Sequence, residues 1–232
     1  MLNRGMEEAA PPAEGRSTGI ALDILSDPIC PWCYIGKAKL DAALRERPVP
    51  GLEMQWRTFQ LNPDMPEGGM SRTEYLERKF GGPEGARSVY GRIEQAVREA
   101  GLPLDFSKIE RTPNTLDAHR LIRWARAPGK QDAVVDALFA AYFVEGVDIG
   151  NRDALIAIGA AQGMDADLLR RLYAEDADRA LLQNEDALAR EMGVTGVPCY
   201  VIDETYALVG AQDTAVWRQV LGKIAKGESL AS

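Results

Sequence analysis

Cys30-Pro31-Trp32-Cys33 is the segment that most narrows what this chain can fold into. It follows Ile20 to Ser26 (IALDILS), a short run rich in Ile and Leu that stops at Asp27-Pro28 and so reads as a buried strand. Pro31 to Arg47 follows a helical period, with Ile35, Leu40 and Leu44 on one side and Pro48 and Pro50 ending it. Leu52 to Phe59 (LEMQWRTF) alternates apolar and polar residues, which predicts a second strand. Strand, helix and strand within about forty residues form a βαβ unit, normally right-handed and parallel. The cysteine pair therefore falls where the first strand ends and the first helix begins.

From Asn62 the pattern turns helical. Ser71 with Glu74 forms a capping box for a helix to Phe80, and Pro83 to Ala100 is closed by Gly101. Asn114 or Thr115 caps Leu116 to Ala127, and Gln131 to Glu145, Arg152 to Gln162, Asp165 to Ala174 and Asp176 to Met192 continue the block. Strands return at Pro198 to Ile202 and Tyr206 to Val209, joined by Asp203-Glu204-Thr205 as a hairpin turn, and Thr214 to Lys226 is a final amphipathic helix. The expected organisation is a flexible tail over 1–19, an α/β domain from 20–61 and 194–228, and a large all-helical insertion over 62–193.

Cysteines three apart in a first helical turn point the same way, close enough to bridge. The first sits at the helix N-terminus, where unpaired amides and the helix dipole favour a thiolate. Such surroundings lower a cysteine pKa from about 8.5 to roughly 3.5–7.5. A thiolate with a resolving thiol beside it is what exchange through a mixed disulfide requires. The competing readings are two buried small residues, or a structural zinc site in which Cys30, Cys33, Cys199 and His119 make one Cys3His set.

Composition closes other routes. The 27 Lys and Arg stand against 35 Asp and Glu, a formal net charge of −8, whereas a phosphate backbone or anionic membrane calls for clustered cations. Three cysteines in 232 residues do not make a secreted disulfide scaffold, and one histidine leaves most His-based machinery out of reach. No segment approaches the about 18 apolar residues of a membrane span. Residues 1–19 lack a targeting signal's apolar stretch of roughly 7–15 residues. A cytoplasmic protein without nucleic-acid or membrane partners is expected, and phosphate-cradle motifs are absent.

The second informative segment is Gly193-Val194-Thr195-Gly196-Val197-Pro198, where a proline enters a strand and a cis X-Pro bond is at home. In the order strand, Cys-Pro-Trp-Cys helix, strand, helical insertion, Gly-Val-Pro, hairpin, helix, the chain resembles the DsbA family of the thioredoxin superfamily. The segments DPICPWCYIGK, NTLDAHRL, LFAAYFVEGVDI and GVTGVPCY, with Gly210-Ala211-Gln212, are similar to its FrnE-like branch. The resemblance runs from about residue 20 to 226 and implies an α/β thioredoxin fold with a helical insertion capping the redox face. It implies thiol–disulfide exchange on protein or small-thiol substrates, with Cys30 the exposed nucleophile and Cys33 resolving. Val197-Pro198 would be the cis-proline pair opposite them, pairing with an extended substrate, and Pro31 and Trp32 would join the substrate surface. No cofactor is expected beyond the dithiol itself, with glutathione as a candidate co-substrate. Because Pro-Trp replaces Pro-His between the cysteines, a couple less oxidising than the strongest oxidants is expected, on the order of −150 to −250 mV.

Smaller candidates stay open. Asp27 and Asp23 are candidate proton acceptors for Cys33 if buried, against turn chemistry for Asp27 and an outward-facing strand position for Asp23. Cys199 reads as a buried inert thiol or a third redox partner. His119 reads as a packing residue or one facing the substrate groove. Trp32 and Tyr34 are expected to shape the rim of the dithiol. Relatives with serine at the first active-site position are glutathione-dependent transferases and isomerases, so an alternative function is that chemistry on a small aromatic or polyketide-like molecule. A metal or chaperone module is the third class, and a homodimer would fit a helical cap.

Overall fold

The structure is a computed structural model that describes residues 19–230. The expected tail lies outside the described residues except for Gly19. β1 (Ile20–Ser26), α1 (Pro31–Glu46) and β2 (Leu52–Thr58) form the expected parallel unit, with Ile24 opposite Trp56. Pro31 takes the first helical turn, where a missing N–H costs nothing.

β3 (Met70–Ser71) leads into α2 (Arg72–Phe80), whose N-cap Ser71 accepts from the Glu74 amide at 3.2 Å. Glu74 turns to Arg78 instead (2.6 Å), so only half of the capping box forms. α3 (Pro83–Glu99), β4 (Arg111–Thr112), α4 (Leu116–Trp124), α5 (Gln131–Ala140), α6 (Arg152–Ala161), α7 (Ala166–Ala174) and α8 (Arg179–Glu191) follow. Asn151 and Asp165 cap α6 and α7 with their side chains. β3 and β4 pair antiparallel, so the stretch between β2 and β5 is not purely helical. Two-residue strands are too short to leave an alternation pattern. The chain after α5 widens to a π-helical turn over Ala141–Glu145. α8 begins at Arg179 rather than Asp176, because Asp176 and Asp178 take left-handed φ of 48° and 61°.

β5 (Cys199–Ile202) and β6 (Tyr206–Val209) make the hairpin, turned by Asp203 and Glu204 with φ of 46° and 55°, and α9 (Thr214–Ala225) ends the fold. The sheet order is β2-β1-β5-β6, with β5 and β6 antiparallel to their neighbours. Leu22, Ile24, Tyr200 and Ile202 share a core with Cys33 and Leu40 of α1 and with Leu221 of α9. There the fully buried Trp217 meets the Tyr200 ring edge-on at 4.7 Å. Leu25 and Cys199 pack with Phe59 and with Ala189 of α8 in a separate cluster.

Contacts from α5 seat the helical block on both β2 and α1. Gln131 of α5 accepts from the Trp56 amide (3.2 Å) and donates to the Trp56 carbonyl (3.3 Å), closing the outer edge of β2 as a strand would. One turn beyond Cys33, the buried Lys37 ammonium reaches Asp41 (2.8 Å) on its own helix, and Asp136 (2.9 Å) and Asp132 (3.2 Å) on α5. Burial alone would lower the Lys37 pKa, but the three carboxylates outweigh it and raise it. Lys37→Ala is expected to destabilise the fold by roughly 2–3 kcal/mol, below a fully buried pair because the aspartates are partly wet. Lys37→Met should restore little of that, since the facing carboxylates still repel. Urea denaturation measures both.

Candidate active site

Cys30 is the N-cap of α1, in extended backbone (φ −88°, ψ 112°), and its carbonyl accepts from the amides of Cys33 (3.0 Å) and Tyr34 (3.2 Å). Its own amide donates to Asp27 at 2.9 Å, so Asp27 to Cys30 is a tight turn that aims the first cysteine off the end of β1. Both cysteines are free thiols. The Cys30 sulfur does not cap the helix amides; it donates to the Val197 carbonyl at 3.6 Å. Val197-Pro198 is a cis peptide. Gly36 is what lets α1 approach this loop: a Cβ there would collide with the Tyr200 hydroxyl and lie 3.1 Å from Pro198 Cγ.

Cys33 is one turn back and 1% exposed. Burial pushes its thiol well above the usual range, and Cys30 beside it pushes the same way; the Ser26 hydroxyl and Asp27 amide partly offset this. Cys30 is not the exposed nucleophile expected: only 2% of its surface meets solvent. It opens instead on a groove of about 240 Å³ between α1, the Val197 loop and α2–α3, which roof it. Pro31, Trp32 and Val197 line that groove, with Trp32 38% exposed at its rim. Tyr34 is not on the rim: its ring stacks on Phe143 (5.5 Å, 9°) and meets Phe139 at 5.4 Å, inside the contact with the helical block.

Asp27 is fully buried. Its Oδ2 accepts from the Leu61 amide (2.7 Å) and its Oδ1 from the Ile29 amide (3.3 Å), tying the exit of β2 to the turn before Cys30. Burial raises its pKa to about 7 despite those amides. His119 of α4 lies beneath it rather than in the groove, 2% exposed, with Nε2 4.0 Å from Asp27 Oδ1 and without a hydrogen-bond partner. Burial lowers the His119 pKa to about 4, so the ring is neutral.

Asp23 is set aside as a proton acceptor. By strand alternation it points away from the Leu22 and Ile24 face that packs on Cys33. It is held by Arg57 Nε at 2.6 Å, with Glu185 of α8 behind. Cys199 shares that far face with Leu25, 3% exposed, and burial raises its pKa. The four residues of the zinc alternative are thus divided by the sheet. Among the described residues no group of three or more His, Cys, Asp or Glu is arranged for a metal. Nor is any helix among them long and apolar enough to cross a membrane.

Arg72, Tyr75 and Lys79 of α2 and Tyr90 of α3 also wall the groove and were not singled out from sequence. Their signal is the i, i+3, i+7 spacing of Arg72, Tyr75 and Lys79 on one helix face, which reads as an ordinary solvated surface until the partner wall is known.

The fold has counterparts among known proteins. The chain is 25% identical over 207 residues to YwbO of Bacillus subtilis (strain 168), an uncharacterized protein, covering 87% of this chain and 96% of that one. The structure is similar to a probable DsbA oxidoreductase of Streptomyces coelicolor, with a TM-score of 0.78 and 28% identity over 92% of each chain. It shares a fold with the cytosolic disulfide reductase DsbM of Pseudomonas aeruginosa solved with GSH (TM-score 0.62, 22% identity, 89% of this chain and 99% of that one). The model of the DSBA-like thioredoxin domain matches residues 21–222. With a thioredoxin sheet, a helical block between its second and third long strands and a dithiol at the start of its first helix, this chain belongs to the DSBA-like thioredoxin domain family.

Proposed function

We propose that this chain is a thiol–disulfide oxidoreductase that exchanges disulfides with protein or small-thiol substrates through Cys30 and Cys33. In the cytoplasm, where dithiols are kept reduced, it works in the reducing or isomerising direction. The observation that carries this is Cys30 at the N-terminus of α1, with Cys33 one turn behind and the Cys30 sulfur at the floor of a groove. The Cys30 thiolate attacks a substrate disulfide, one S–S bond forming as another breaks, and one substrate thiolate leaves. Cys33 then attacks the Cys30 sulfur and the second thiolate leaves, so two electrons pass to the substrate. Pro31, Trp32, Val197 and Pro198 hold the substrate, and glutathione restores the dithiol.

The reading is tested by a redox titration of the pair against glutathione, with insulin reduction alongside. A two-electron couple inside the thioredoxin-fold range of about −120 to −270 mV, on the order of −150 to −250 mV, is expected, Cys30→Ser abolishing turnover and Cys33→Ser accumulating the mixed disulfide. Absence of a titratable couple, or small-molecule isomerase activity that survives Cys33→Ser, overturns it.

The buried Cys33 must lose its proton to react, and Asp27 takes it, its amide against the Cys33 sulfur and its carboxyl poised at about 7. The same burial has a thermodynamic signature. Between about pH 4 and 6.5 the folded chain holds Asp27 protonated and His119 neutral, while the unfolded chain holds the reverse. The proton counts match, so this pair adds no slope to stability there. In Asp27→Asn only His119 remains. The unfolded state then binds the extra proton, and stability should rise with pH by about 3 kcal/mol across the window. Denaturant midpoints measured at several pH values give the slope, and an unchanged profile would contradict the buried titration of this pair.

A further inference from the structure

The roof of the groove carries positive charge that no carboxylate among the described residues pairs with. The Arg72 guanidinium sits over the rings of Tyr75 (5.4 Å) and Tyr90 (5.2 Å). Its Nη2 donates to the Tyr90 hydroxyl at 2.5 Å and its Nη1 to Thr112 Oγ1 at 3.3 Å. No Asp or Glu among the described residues lies within ion-pair distance of it, and none lines the groove, in a chain with 35 acidic residues against 27 basic. Lys79, on the same helix face, donates to Asn62 Oδ1 (3.1 Å) and has no carboxylate partner among them either. Arginine is the side chain whose planar fork matches a carboxylate, and here two rings and two hydroxyls hold it in place. The remaining wall is apolar and aromatic, with Phe80, Phe106 and Phe143, and about 240 Å³ admits a small molecule rather than a folded loop.

We infer that Arg72 is a specificity-determining residue that seats the carboxylate of a low-molecular-weight disulfide with an apolar or aromatic body, its sulfur facing Cys30. The inference rests on the dithiol reading above and narrows its substrate. Cys30 attacks the near sulfur and releases one carboxylate-bearing thiolate. Cys33, yielding its proton, displaces the second, and the dithiol supplies both electrons, so a single turnover needs no other reductant.

The test uses pre-reduced full-length protein in single turnover with two chromogenic aromatic disulfides, dithiobis(nitrobenzoate), which carries carboxylates, and neutral dithiodipyridine. Each rate is normalised to that of free dithiothreitol with the same probe. The wild type should favour the carboxylate probe by at least about tenfold, the scale of a charge-assisted hydrogen bond. Arg72→Gln should erase that preference while leaving the dithiodipyridine rate within about twofold, and Arg72→Lys should keep part of it. Arg218→Gln, a cation ion-paired with Glu46 at 3.3 Å, should leave the ratio unchanged. Added salt should lower the wild-type preference without touching the neutral probe, a readout that holds even if Arg72→Gln does not fold. Equal normalised rates in the wild type, a preference that survives Arg72→Gln, or one insensitive to salt overturns the inference while the dithiol reading stands. Failure of both probes to oxidise the pair would overturn the dithiol reading itself.

Discussion

One side chain closes the margin of the sheet against which the helical block packs. The sheet has an open margin at β2, and Gln131 fills the hydrogen bonds of Trp56 there from a helix rather than from a strand. Once α5 is held at that margin, Asp132 and Asp136 meet Lys37, and Asp132 Oδ1 accepts from the Trp56 indole at 3.2 Å. Lys37 lies on the same helix as the dithiol, so the salt links that seat α5 also fix the inner end of α1. Buried ionic contacts of this kind specify an arrangement more than they add net stability, and here the arrangement is a groove between α1 and the helical block.

A second set of clamps acts on the segment after β2. Asp186 and Arg190 of α8 bind the amide and the carbonyl of Gln60, while Asp27 binds the amide of Leu61 from the other side. Phe59, Gln60 and Leu61 are thereby fixed although they belong to no strand, and Leu61 forms part of the groove wall. Asp27 thus has two jobs that pull on its charge in opposite directions. Accepting two amides favours the carboxylate, and complete burial favours the acid, with burial the stronger.

Local signals were legible where chemistry and local structure coincide. Cys30, Pro31 and Cys33 announce a helix start and a dithiol together, and Ser71, three residues before Glu74, marks an N-cap that the structure forms. Alternation along β1 separates Asp23 from Leu22 and Ile24, which makes the pairing of Asp23 with Arg57 an outcome of strand geometry. What was not legible comes from pairings across distance. β3 and β4 are two residues each and exist because Met70 meets Thr112. Arg72 is fixed in the groove wall only when Tyr90 and Thr112 arrive from two other elements. The depth of Cys30 was hidden for the same reason, since the roof that covers it is assembled from α2 and α3.

The sheet itself has one more consequence through Cys199. Because this thiol packs with Leu25 and Phe59 while Cys30 and Cys33 pack with Leu22 and Ile24, the backbone layer works as a partition between one sulfur and two. Oxidants that enter the groove reach a pair with only one internal partner each. A disulfide between Cys199 and either of the other two would have to cross that layer, which side chains on opposite faces of a sheet do not do without backbone movement.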